Sequence, residues 1–217
     1  IESGRSQTAV GGSVSVKSGH GVTTGGDVQL TSGSGIQSGA MFVTTGDATT
    51  QSGDVIVGSG KSLGESSGAV QIVSGDGKAS GHIEVASGKS LEQAGDVIID
   101  AGESSSQKGG SVMMSSGSSV LGSSGDLVMV TAESNQASGD ISVRTGNAGG
   151  HSGDLSIQTG DSAGDHAGGI AIRAGQSGSG DGGSVTIGSA TSETGKGGPV
   201  MIRAGEGLTH GGNVSIS

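Results

Sequence analysis

The sequence of 217 residues contains no cysteine, tryptophan or tyrosine, one phenylalanine (Phe42) and one proline (Pro199). Without cysteine the chain forms no disulfide, and the cysteine count says nothing about the redox compartment. Without aromatic side chains a conventional globular core lacks its largest contributors to buried area. No apolar run approaches the roughly 20 residues that cross a bilayer, so no membrane span is expected in this segment.

Basic residues are also few, with 10 Lys and Arg against 20 Asp and Glu, for a formal net charge of -10. They are scattered and accompanied by almost no stacking surface, so nucleic-acid binding is not expected. Glycine, by contrast, accounts for 49 residues, well above its average usage of about 7%. Such a composition occurs in disordered chains, and the spacing of the residues decides whether this chain is one of them.

The sequence is a tandem repeat of an eight-residue unit followed by a polar linker. The unit reads Gly, any, aliphatic, any, aliphatic, any, Ser/Thr/Ala, Gly, as at 12–19 and 26–33. In all fifteen units both aliphatic positions hold Val, Ile, Leu or Met, a register that a disordered chain has no reason to keep. The leading glycines, with a mean period of about 14 residues, are Gly12, Gly26, Gly39, Gly53, Gly68, Gly81, Gly95, Gly110, Gly125, Gly139, Gly153, Gly168, Gly183, Gly198 and Gly212.

Two aliphatic residues separated by one position place both side chains on the same face of a short strand. One such strand buries too little to offset the ordering of its backbone, so the units must stack. We therefore expect an all-β fold, a parallel β-solenoid, with glycines supplying positive φ or close backbone approach at the corners. The expected structural core includes Val14, Val16, Val28, Leu30, Val55, Val57, Ile83, Val85, Val97, Ile99, Ile141, Val143, Leu155, Ile157, Val200 and Ile202.

Alternate linkers over the first half of the chain carry an aliphatic residue, although Val22 breaks the alternation early; these residues are Ile36, Leu63, Leu91 and Val120. This alternation predicts two units per coil of about 28 residues, with the linker aliphatic filling one corner. The Ser/Thr/Ala residues before the closing glycines are expected to form a ladder between coils. An antiparallel β-meander or sandwich is the alternative, because its odd and even loops would lie at opposite ends.

Residues 1–4 match the second half of a unit, and the chain stops within its fifteenth unit. Repeat arrays need atypical caps at their open ends, and none is recognisable here. Residues 1–217 are therefore expected to be a single uncapped array of about fifteen units, an excerpt of a longer protein. The expected partners are the continuation of the same array, further copies in a filament, or both.

Aspartate follows the leading glycine in six units, at Asp27, Asp54, Asp96, Asp126, Asp140 and Asp154. A ladder of carboxylates could bind Ca²⁺, but only the last three lie in consecutive units, and aspartate is also an ordinary turn residue. The five histidines lie mostly in linkers without metal-ligand spacing and are interpreted as solvated. We expect no enzyme activity and no cofactor, with calcium the one candidate ion. Asn213 begins an Asn-Val-Ser sequon and is a candidate glycosylation site.

The segments 52–60 and 138–146 follow the pattern Ser-Gly-Asp-Val/Ile-x-Val-x-Ser/Thr-Gly. This pattern resembles the Gly/Ser-rich tandem repeats of very large surface and extracellular proteins of algae and other protists. The resemblance implies an extracellular or cell-surface location. The expected function is that of a structural repeat segment of an extracellular fibre, filament or surface appendage, acting as a rigid rod or scaffold. The alternative is an adhesive or ligand-binding surface for a glycan, an ion, ice or a mineral.

Overall fold

Sharp bends at regular intervals divide the chain in the computed structural model, which describes residues 1–7 and 10–216. Each of the fifteen bends lies inside a polar linker, and none falls within an eight-residue unit. The bends therefore follow the division into units and linkers that the sequence shows. The bends lie at 7, 22–23, 35–37, 49–50, 63–65, 77–79, 91–92, 105–107, 120–122, 135–136, 149–150, 163–165, 178–180, 193–195 and 208–209.

The units themselves do not pair into a sheet, since residues 1–7 and 10–216 contain neither a helix nor a strand. The predicted parallel β-solenoid with two repeats per coil is therefore wrong, and so is the antiparallel meander or sandwich. A spacing of two residues shows which side chains share a face. A sheet also needs a partner for each backbone N–H and C=O. Because every unit repeats one pattern, the sequence gives no segment a unique partner or register.

Aliphatic side chains remain substantially exposed along the described chain. The sixteen residues expected to form the core are between 50 and 76% exposed, and no described residue is buried. The accessible surface of the chain is 22403 Å², whereas a folded monomer of this mass exposes about 8,800 Å² and an unfolded chain about 29,600 Å². The units are thus locally ordered without enclosing a common core.

The linker aliphatics that were expected to fill a corner of the coil fill none. Ile36, Leu63, Leu91 and Val120 are between 94 and 108% exposed. They lie in or next to the bends, where the side chain points away from a chain that has no second layer to receive it. The presence of an aliphatic residue in alternate linkers therefore does not indicate how many units make one coil.

The base of many linkers is closed by one backbone hydrogen bond between its flanking glycines. In these linkers the N–H of the leading glycine donates to the carbonyl oxygen of the residue that closed the previous unit, at 2.9 to 3.1 Å. All six linkers that end in a Gly-Gly doublet are closed in this way. The closed pairs are Gly12–Gly4, Gly26–Gly19, Gly39–Gly33, Gly110–Gly102, Gly125–Gly117, Gly183–Gly175, Gly198–Ala190 and Gly212–Gly205.

Close approach, rather than unusual backbone angles, accounts for three of the leading glycines. No described residue has a positive φ, so the expected positive φ at the corners is wrong. A Cβ on Gly110 would lie 3.2 Å from the Cβ of Ala101 and 3.1 Å from the nitrogen of Gly102. Similarly close approaches to the small residue before the closing position recur at Gly12 and Gly183, whereas Gly26 and Gly198 make ordinary contacts. The Ser/Thr/Ala position thus meets the next leading glycine across the linker.

Contacts between residues divide the chain into two larger parts, Ile1–Val112 and Met113–Ser217. Each contains bent linkers and bend-free segments of the same kind. Since the described residues include no helix, they include none that could cross a membrane.

Candidate functional surface

Every unit exposes the same pair of aliphatic side chains, which we call the aliphatic pair. The first member of the pair is between 50 and 59% exposed in all fifteen units. The second member is between 61 and 76% exposed in the first fourteen units, while Ile216 at the last position is 90% exposed. Partial coverage is therefore a property of the position in the unit rather than of the particular residue.

The residue between the two members of the pair, here called the middle residue, lies on the more exposed side. It is a large apolar residue in six units, and in five of these it is more exposed than both of its neighbours, while Met201 at 65% is about as exposed as Ile202 at 66%. This alternation is the period of two expected from the sequence. These five middle residues are Phe42, Ile56, Ile98, Met113 and Val128.

The second residue of most linkers takes part in the turn, and sequence reasoning missed it. In eight linkers this residue is a serine whose Oγ accepts a hydrogen bond from the backbone N–H two or three residues further on, at 2.8 to 3.2 Å. Such bonds offer the chain a local turn in place of regular structure. These serines are Ser62, Ser90, Ser104, Ser119, Ser134, Ser162, Ser177 and Ser192.

Glycine replaces serine at the second linker position in four linkers, and the turn there is too tight for a side chain. A Cβ on Gly35 would lie 3.0 Å from the carbonyl oxygen of Gln37, and one on Gly77 would lie 3.1 Å from that of Ala79. A Cβ on Gly21 would collide with the Thr24 carbonyl oxygen. The second linker position holds Ser or Gly in all linkers but two, where it is Ala48 or Ala148. This preference was the signal in the sequence that could have revealed both turns.

The titratable side chains expected as candidate ligands stay apart in the structure. Asp27, Asp54, Asp96, Asp126, Asp140 and Asp154 are all exposed. No three carboxylate or imidazole groups in the described part of the chain lie close enough together to hold a metal ion. The pair closest to a ligand geometry is His166 Nδ1 with Asp165 Oδ1 at 2.5 Å, between neighbours that are 97 and 88% exposed. An ion pair so open to solvent contributes little to stability.

Asn213 lies one residue after the leading Gly212 and is exposed. The structure therefore leaves its side chain accessible, while the prediction that it carries a glycan stays a prediction. Residues 1–7 and 10–216 enclose no cavity. What the described chain offers a partner is its surface, which combines polar linkers with the repeated aliphatic pairs.

Comparison of the chain with family models, with curated proteins and with solved structures finds no match.

Proposed function

We propose that this chain is a structural repeat segment of an extracellular fibre, filament or surface appendage, with a scaffolding rather than a catalytic role. The observation that carries the proposal is the uniform exposure of the aliphatic pair, with its first member between 50 and 59% exposed in every unit. Exposed apolar surface on this scale marks a site of association. Because the surface repeats with the units, its partner is also a repeat, either further units of the array or other copies of the chain.

The linkers support the same function. They are rich in serine, glycine and charged residues, and apart from the half-buried Gly21 their described residues are exposed. A polar loop at every repeat keeps an array soluble at its edges while the aliphatic pairs associate. The extracellular location is part of the proposal and rests on the resemblance to the repeats of large surface proteins.

The test measures the assembly of the full 217-residue chain. We expect sedimentation velocity to show association that grows with concentration, and electron microscopy to show uniform filaments. A variant with Val43→Ser, Val57→Ser and Ile72→Ser removes three second members of the aliphatic pair and should shift association to at least about tenfold higher concentration.

The matched control removes the same number of exposed aliphatics from the linkers, by Ile36→Ser, Leu63→Ser and Leu91→Ser. This control should assemble like the unaltered chain, because the linker aliphatics belong to no repeated surface. A chain that stays monomeric at all concentrations, or a control that loses assembly as fully as the first variant, would contradict the proposal.

A further inference from the structure

The segment around the single aromatic residue differs from the other segments of the chain in its chemistry. Residues 39–46 read Gly-Ala-Met-Phe-Val-Thr-Thr-Gly and carry no charged side chain. Phe42 is the middle residue and is 84% exposed, between Met41 and Val43 at 52 and 69%. Both sides of this segment are therefore apolar at its centre, as they are in the uncharged segment 110–117 around Met113, but an aromatic ring lies there in 39–46 alone.

The backbone of this segment is also free to take a partner. Residues 39–46 run without a bend and belong to no strand. Only the N–H of Gly39, at the base of the preceding linker, is engaged in a loop-closing bond, to the carbonyl oxygen of Gly33. A bend-free apolar segment with an unpaired backbone can pair with another segment edge to edge.

We infer that residues 39–46 form the contact at which two copies of this chain associate side by side, with Phe42 of one copy against Phe42 of the other. The inference rests on the proposed assembly function and names the part of the surface that makes the lateral contact. In an antiparallel pairing centred on Phe42, the two rings meet and Met41 of one copy faces Val43 of the second copy. Cross-strand aromatic and aliphatic pairs of this kind are favourable.

The absence of charge in segment 39–46 makes it compatible with a second copy of itself as the occupant of this site. When identical segments pair about their middle residue, any charge near the centre lies close to its own copy, and like charges opposite each other are destabilising. Glu84, a middle residue in another unit, would oppose itself in this way. The segment 39–46 has no such conflict, so it favours self-pairing where the Glu84 unit disfavours it.

The chain as a whole exposes far more surface than one such contact would cover. The chain exposes 22403 Å², roughly 13,600 Å² more than a folded monomer of its mass. A standard interface buries about 1,600 Å² over both partners. Aromatic residues also contribute disproportionately to binding energy at interfaces, which makes Phe42 the residue of this segment whose loss should matter most.

The composition of the chain permits a direct test. Phe42 is the only aromatic residue and there is no cysteine, so 4-fluorophenylalanine gives one ¹⁹F resonance and Thr44→Cys gives one spin-label site. Copies with the fluorinated residue are mixed with spin-labelled copies, and the ¹⁹F signal is recorded as the concentration rises. We expect it to shift and broaden in the assembled state, and to sharpen again when the spin label is reduced.

A second set of variants measures the energetic contribution of the ring. Phe42→Ser should raise the concentration needed for association about tenfold or more, and serine suits the position because Ser15 and Ser142 occupy it in other units. Phe42→Leu should restore most of the association. The control Gln71→Ser changes the middle residue of another unit and should leave association unchanged.

The outcomes separate this inference from the function on which it rests. Assembly with an unchanged ¹⁹F signal and an ineffective Phe42→Ser would overturn the lateral contact and leave the assembly function standing. A ¹⁹F shift that is present at every concentration, without broadening by the label, would show that Phe42 is covered by its own chain and would also overturn the contact. A chain that never assembles would overturn both.

Discussion

The backbone N–H of Gly183 donates to the carbonyl oxygen of Gly175 at 3.0 Å and closes a linker of seven residues at its base. A Cβ on Gly183 would lie 3.0 Å from the Cβ of Ala174 and 3.3 Å from the nitrogen and the oxygen of Gly175. It is the closest such approach among the fifteen leading glycines. The two backbones therefore meet because Gly183 has no side chain to separate them.

Gly183→Ala should open this linker. The added methyl group pushes against Ala174 and the Gly175 backbone, so the hydrogen bond, worth about 0.5–1.5 kcal/mol net, is lost. We expect amide exchange at residue 183, corrected for its intrinsic rate and measured by NMR, to accelerate about 2- to 10-fold. The control is Gly175→Ala, because a Cβ there has nothing within 4 Å. Equal acceleration in both variants would show that close approach is not what closes the linker.

The sequence predicts the positions of the bends and the alternation of exposure well because both depend on residues within one unit and its adjoining linker. The linkers bend where polar residues interrupt the aliphatic spacing, as at 193–195 between the aliphatic pairs of two units. The alternation of exposure about Phe42 and Ile56 follows from the same spacing. Each of these features depends on residues that are neighbours in the sequence.

Pairing between units could not be predicted in the same way. The spacing of Val55 and Val57 places both side chains on one face of their unit. Each of the fourteen other units offers an equivalent pair, so the residue types do not specify which unit is the partner. The aspartates were ambiguous for a similar reason, since a carboxylate such as Asp140 serves equally in a turn or in a ligand set. What the sequence lacked was a residue that makes one long-range contact better than all the others.

Ser192→Ala should loosen the linker turn in which it lies. The Oγ of Ser192 accepts from the N–H of Gly195 at 2.8 Å, and alanine removes that acceptor while preserving the Cβ. We expect the amide of Gly195 to exchange about 2- to 10-fold faster. Thr194→Ala, in the same linker, serves as the control for a change in local composition.

The reverse substitution provides an independent check on the role of this position. Ala148 is the second residue of its linker and has no hydroxyl group. Ala148→Ser should create the missing bond and slow exchange at residue 150 or 151. If both serine substitutions left the exchange rates unchanged, the serine bonds would have no part in forming the turns.

Gly207→Ala should rearrange its linker rather than merely loosen it. A Cβ on Gly207 would collide with the carbonyl oxygen of His210, and a backbone atom cannot move aside as a flexible side chain can. We expect large changes in the backbone chemical shifts of residues 206–211 and loss of the bond between Gly212 and Gly205. Gly205→Ala, where a Cβ has nothing within 4 Å, should leave the shifts of 206–211 close to those of the unaltered chain.

Assembly should strengthen as salt is added, because the copies that must approach each other each carry a formal net charge of -10. Raising the ionic strength from about 0.01 to about 0.15 M shortens the screening length from about 30 to about 8 Å. Repulsion between copies then weakens, while the contacts between aliphatic pairs are unaffected at these concentrations. The midpoint concentration of association, measured by sedimentation velocity, should fall accordingly.

A variant with Asp47→Asn, Asp76→Asn and Asp161→Asn tests the electrostatic cause of that salt dependence. It removes three linker charges without touching an aliphatic pair, so it should associate more readily at low salt and respond less to added salt. Association that weakens on adding salt would mean that attraction between opposite charges joins the copies. In that case the linkers, rather than the aliphatic pairs, would be the surface that holds the assembly together.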